Sequence, residues 1–87
     1  MKDIRVMLFD DNLRIRESLS LMFKKTRGFE FCGAYPDNAD LLENIEVVKP
    51  NVILMDIDIP VLSGIEAVHL ISKKFPEIKV IMLTVFD

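Results

Sequence analysis

The amino-acid sequence predicts an α/β fold: a doubly wound parallel sheet with helices on both faces. Two observations carry this expectation. Short apolar runs alternate with amphipathic stretches along the 87 residues, joined by short links, and the runs are apolar at successive positions rather than at every second one. Alternation of that kind is the pattern of β-α-β crossovers, and continuous apolarity marks strands buried on both faces.

Residues 4–9 (IRVMLF) form a β-branched and apolar run that ends abruptly in Asp10, Asp11 and Asn12, which reads as a buried strand followed by a helix cap. In residues 13–25, Ile15, Leu19, Met22 and Phe23 recur at helical spacing with Arg14, Arg16, Glu17 and Lys24 between them. This amphipathic helix stops near Gly28. Residues 29–34 read as strand two, 35–38 as a turn carrying Pro36 and the cap candidates Asp37 and Asn38, and 39–48 as a second helix whose Leu42 and Ile45 face the sheet. Lys49, Pro50 and Asn51 break the chain before a third strand at 52–55. Residues 60–64 turn into a third helix that runs to about Phe75, with Ile65, Val68 and Ile71 as its apolar stripe. Pro76 and Glu77 end it, and residues 80–83 form a fourth strand finishing at Thr84. With no repeat, low-complexity stretch or linker, residues 1–87 are expected to form one domain.

The net charge of −3 arises from acids and bases spread over the chain, so this segment shows no basic stripe for a nucleic-acid backbone and no polybasic end for an anionic membrane. The longest apolar runs fall far short of the roughly 20 residues a bilayer crossing needs. The early charges of Lys2 and Asp3 do not suit a secretory signal, and the expected location is cytoplasmic. The one cysteine, Cys32, lies among Phe29 and Phe31 and is expected to pack rather than react. His69 sits between Val68 and Leu70 with no second soft ligand near it in sequence and is expected on the surface.

In open parallel sheets ligands bind beyond the carboxyl ends of the strands, where the strand order reverses. Asp10 and Asp11 follow strand one, Asp56 and Asp58 follow strand three, and Thr84 follows strand four. The doubly wound order 2-1-3-4-5 makes strands one and three neighbours, and it brings these four carboxylates together. Taken singly, each acid fits a cap or a turn. Together they repel by about 1 kcal/mol per pair in high dielectric and more where solvent is thin, so a cation must compensate. No Lys or Arg adjoins these strand ends in sequence, and an all-oxygen donor set suits Mg2+. A strand-end carboxylate beside such a cation can attack phosphorus and form an acyl phosphate, with the Thr84 hydroxyl available to a phosphoryl oxygen.

The sequences Leu8-Phe9-Asp10-Asp11-Asn12, residues 52–60 (VILMDIDIP), Ser63-Gly64-Ile65-Glu66-Ala67 and residues 80–84 (VIMLT) resemble, in order and spacing, the receiver domains of two-component response regulators. The resemblance implies a flavodoxin-like sheet of order 2-1-3-4, continued in the family by a fourth helix, a fifth strand bearing a lysine that holds the phosphoryl group, and a fifth helix, so the domain is expected to be incomplete at its C-terminus. It implies Asp56 as phosphoacceptor and Asp11 as the principal side-chain ligand of Mg2+. Asp10 would be a supporting acid, Asp58 a ligand through its backbone carbonyl, and Thr84 the switch hydroxyl. The implied partner is a sensor histidine kinase, and the implied catalysis of the chain itself is modest. Residues 73–87 are similar to receivers that carry a C-terminal helix-turn-helix, which implies transcription as the output and DNA binding outside this segment. Two other classes stay open: an interaction module that is never phosphorylated, and an Asp-nucleophile phosphatase of the haloacid-dehalogenase kind, suggested by Asp56-Ile57-Asp58.

If strand four ends the sheet, its apolar backbone edge is a template for a second chain. Self-association through strand four, or by exchange of elements, is therefore expected. A clean monomer in light scattering at about 100 μM, with one cooperative unfolding transition, would count against it.

Overall fold

The computed structural model describes residues 2–83. Its elements follow the predicted order: β1 (Ile4–Phe9), α1 (Leu13–Lys25), β2 (Phe29–Tyr35), α2 (Leu41–Val48), β3 (Val52–Asp56), α3 (Gly64–Lys74) and β4 (Lys79–Leu83). The four strands form one sheet in the order β2-β1-β3-β4, and every pairing is parallel. This is the expected doubly wound order. Between Val6 and Met7 the register with β2 shifts from Phe31 to Gly33, so Cys32 is the extra residue of a bulge.

Alternation along the central strands divides the interior into two layers. Met7 and Phe9 of β1, with Ile53 and Met55 of β3, face Leu41 and Ile45 of α2 and Ala67 and Ile71 of α3. Val6, Leu8 and Leu54 face the other way, toward Leu19 and Phe23 of α1. There Phe23 meets Phe29 edge-on at 5.2 Å between centroids and stacks on Phe31 at 5.9 Å. Met7, Leu8, Phe9, Ile53 and Met55 are fully buried, and each such side chain contributes roughly 1.5–3 kcal/mol of burial free energy. Cys32 packs against the α2/α3 layer, and burial pushes its thiol upward, which suits packing rather than reactivity. His69 is exposed, as expected.

The starts of α1 and α3 are capped by side chains, whereas α2 has no side-chain cap bond. The Asn12 side chain accepts from the backbone N–H groups of Arg14 and Ile15 at 2.9 and 3.3 Å, and Ser63 accepts from Glu66 N–H at 3.2 Å while donating to the Glu66 carboxylate. Lys24 and Lys25, then Lys73 and Lys74, close the last turns of α1 and α3, where the helix dipole favours cations.

Two helix details differ from the expectation. In α3, Ile65 is 58% exposed, and the inward positions are Gly64, Ala67 and Ile71 with Val68 half-buried. The first of these places is a glycine because the helix start lies hard against the sheet: a Cβ at Gly64 would come within 2.6 Å of the Asp56 carbonyl oxygen. Helix α2 begins at Leu41 rather than near residue 39, because Asn38 is committed elsewhere. Instead of capping, Asn38 is 2% exposed and its amide grips the β3–α3 loop, donating to Leu62 C=O at 2.8 Å and accepting from Leu62 N–H at 2.9 Å. Its own N–H donates to Pro60 C=O at 3.2 Å. Between these residues Val61 has φ of 86°, a backbone that a β-branched residue adopts only under constraint.

Asn38→Ala should strand the donor and acceptor of Leu62. At about 1–3 kcal/mol for each group left without a partner, and toward the lower end because both bonds are only part-buried, a loss of roughly 2–4 kcal/mol in urea unfolding is expected. A loss under about 0.5 kcal/mol, the range of an ordinary surface substitution, would show that the grip on the loop contributes little.

Candidate functional site

The β1–β3 ladder sets the site. Phe9 is the partner of Met55, so the two strands deliver Asp10 and Asp56 side by side as they end. Asp10, Asp11 and Asp56 each offer a carboxylate oxygen, and these oxygens lie within 4.8 Å of one another. Asp10 is 2% exposed and is held on three sides. Its N–H donates to Tyr35 C=O at 3.0 Å, its Oδ1 accepts from Asn12 N–H at 2.9 Å, and its carbonyl accepts from Arg16 Nη1 at 2.9 Å.

Asp58 does not join the set. The expectation of four converging carboxylates is corrected to three: Asp58 is exposed on the turn after β3, and its backbone N–H donates to Asp56 Oδ1 at 3.2 Å. That turn directs its side chain to solvent while fixing the orientation of the neighbouring carboxylate. A second correction concerns cations. Arg16 is not adjacent to a strand end in sequence, yet from the second turn of α1 it reaches back to the end of β1. Its spacing from Asp10, with the Asn12 cap between them, was the one sequence signal of this contact. Thr84 lies outside the described residues.

Burial raises the Asp56 carboxyl above its ordinary value, the Asp58 N–H bonded to it pulls the other way, and the charges of Asp10, Asp11 and Asp58 add to the rise. Three crowded carboxylates with an all-oxygen donor set are the environment that a small hard divalent cation relieves. By contrast, the cavity of about 360 Å³ lined by Ile45, Glu46, Lys49, Pro50, Phe75, Glu77 and Ile78 lies beside the amino ends of β3 and β4, away from these acids.

The Asp56 shift has a consequence for stability. Its folded value lies above its unfolded one, so between the two the folded chain binds more protons and stability falls as pH rises; above the folded value the whole penalty is present. In metal-free buffer, Asp56→Asn should therefore be more stable than the wild type at neutral pH and should lose the part of the acidic-range slope that Asp56 contributes. Denaturant unfolding across that range checks it, and a variant with unchanged slope and no gain would be the contrary result.

Among known proteins, the family model described as the response regulator receiver domain matches residues 6–87. A transcriptional regulatory protein of Bacillus subtilis (strain 168), YxjL, is 37% identical over 84 residues, which cover 97% of this chain and 38% of that protein. The response regulator domain of Thermotoga maritima CheB superposes with a TM-score of 0.84 at 38% identity, over 93% of this chain and 60% of the other. The isolated REC domain of RcsB from Salmonella enterica serovar Typhimurium gives a TM-score of 0.89 over 99% of this chain and 64% of its own, at 20% identity, a likeness of fold. The chain thus spans well under half of the curated regulator it matches. A receiver match that reaches from β1 to the end of the chain sets aside the phosphatase alternative, and with the 2-1-3-4 sheet behind three gathered aspartates it shows that this chain belongs to the response regulator receiver domains of two-component systems.

Proposed function

We propose that this chain accepts a phosphoryl group on Asp56 from the phosphohistidine of a sensor histidine kinase. The observation that supports this most is the meeting of the Asp10, Asp11 and Asp56 carboxylates at the carboxyl ends of β1 and β3. Asp56 closes β3, partly buried and oriented by the Asp58 N–H, so that one carboxylate oxygen is free to attack. In the transfer an oxygen of Asp56 bonds to phosphorus while the bond from phosphorus to the donor nitrogen breaks, leaving an acyl phosphate on the chain and a free imidazole on the donor. Asp11 and Asp56 would hold Mg2+, with Asp10 supporting and the Asp58 carbonyl completing the set. Bound there, the ion supplies neutralisation of charge on the phosphoryl oxygens.

Thr84 follows Leu83, the strand partner of Asp56, and in this reading its hydroxyl registers the phosphoryl group and shifts a conformational equilibrium toward the output state. That output is transcription, with DNA contacted outside residues 1–87. Self-association along β4, which pairs with β3 alone among the described residues and leaves Ile81 52% exposed, belongs to the same proposal. In the same reading residues 1–87 belong to one receiver domain, which they do not complete at its C-terminal side. Among the described residues no helix is long and apolar enough to cross a membrane.

Incubation with acetyl phosphate and MgCl2 should yield acid-labile phosphate that vanishes in Asp56→Asn. In the same reading, Asp11→Ala should weaken Mg2+ binding by more than about a hundredfold, beyond what loss of an outer partner costs a metal site. Phosphate mapped to Asp10 or Asp58, or Mg2+ titration unchanged in Asp11→Ala, would overturn the assignment.

A further inference from the structure

Arg16 is the one guanidinium that the described structure places on the acid site, and its bond goes to a main-chain oxygen rather than to a carboxylate. We infer that Arg16 is a positioning residue of the cation site: through the Asp10 carbonyl it locks the β1–α1 turn so that the Asp10 and Asp11 carboxylates stand ready to receive Mg2+. The inference rests on reading Asp10, Asp11 and Asp56 as the Mg2+ site.

The turn is closed from both directions. Arg16 N–H donates to Asn12 C=O at 3.1 Å, its side chain donates to Asp10 C=O, and the Asn12 N–H returns to the Asp10 carboxylate. Asp11 sits between these two anchored residues, so the direction of its carboxylate follows from the backbone that Arg16 helps to hold. A guanidinium paired with the acids themselves would occupy the oxygens that a cation needs. Bonded to the carbonyl, it leaves them available and also places a positive charge beside a crowded negative cluster in the metal-free chain. Outer partners of this kind orient ligands without touching the metal.

The test is Mg2+ titration by calorimetry, with MgCl2 alone, on the wild type, Arg16→Met, Arg16→Lys and Asp11→Ala, beside metal-free unfolding of each. Arg16→Met keeps the apolar stem and loses the donor, and its Mg2+ affinity should fall about tenfold, the scale of losing an outer partner. Arg16→Lys keeps a donor and a charge and should recover most of that loss. Two results overturn the inference alone. If Arg16→Met binds Mg2+ more tightly, the guanidinium acts only as a repelling charge; if it is less stable but binds Mg2+ as the wild type does, the bond is purely structural. A wild type that takes up no Mg2+ overturns the site reading, and the inference with it.

Discussion

Everything at the site depends on one pairing, the parallel ladder between β1 and β3. It carries two short apolar strands side by side through the middle of the sheet and ends them level, with Phe9 against Met55. Because both strands are buried on both faces, a slip of one residue would exchange Met7 and Phe9 with Val6 and Leu8 between layers of different shape. Packing therefore enforces the register, and the register is what puts acids from distant parts of the chain within reach of one another. The chemistry borrows its precision from the core.

The electrostatic cost of that arrangement is visible in Asp56, whose carboxyl is raised by burial and by its acidic neighbours. Fixed donors offset part of it: the Asp58 N–H on Asp56, the Asn12 N–H on Asp10 and the Arg16 guanidinium on the Asp10 carbonyl. These contacts orient the acids and leave residual negative charge, which is the condition for a site that calls for a divalent cation. The loop beyond Asp56 is held as firmly, by Asn38 across the β2–α2 connection and by the close approach of Gly64 to the end of β3.

All seven elements and the three gathering aspartates were legible in the sequence, because each leaves a periodic or positional mark, while the sheet order came from the doubly wound rule and the family resemblance. Strands such as 52–55 announce themselves by continuous apolarity, and the acids by falling just after such runs. Three things left no such mark. Asn38 looked like a cap because its type is common in caps, while its real partner, Leu62, is distant in sequence and unpredictable from any local pattern. Arg16 looked like part of a solvated helix face, since a side chain's reach back to a strand end depends on where the helix starts. In α3, Ile65 looked inward by spacing, but with Gly64 hard against the sheet the buried side is formed by Gly64 and Ala67 together with the expected Ile71. The acid at 58 was overcounted for a related reason: two residues past the strand, the turn has already changed direction.

The opposite end of the sheet is stitched differently. Asn51 accepts from Arg5 N–H through its side chain, returns its own N–H to Arg5 C=O and accepts from Lys79 N–H, while the Arg5 guanidinium spans Glu30, Val48 C=O and Lys49 C=O. All four strands are thereby bound together where they begin, like the leaves of a book at its spine. Any accommodation of a cation or a phosphoryl group then falls on the fore-edge, in the loops after β1 and β3, and the strands themselves need not slide for the domain to change its surface.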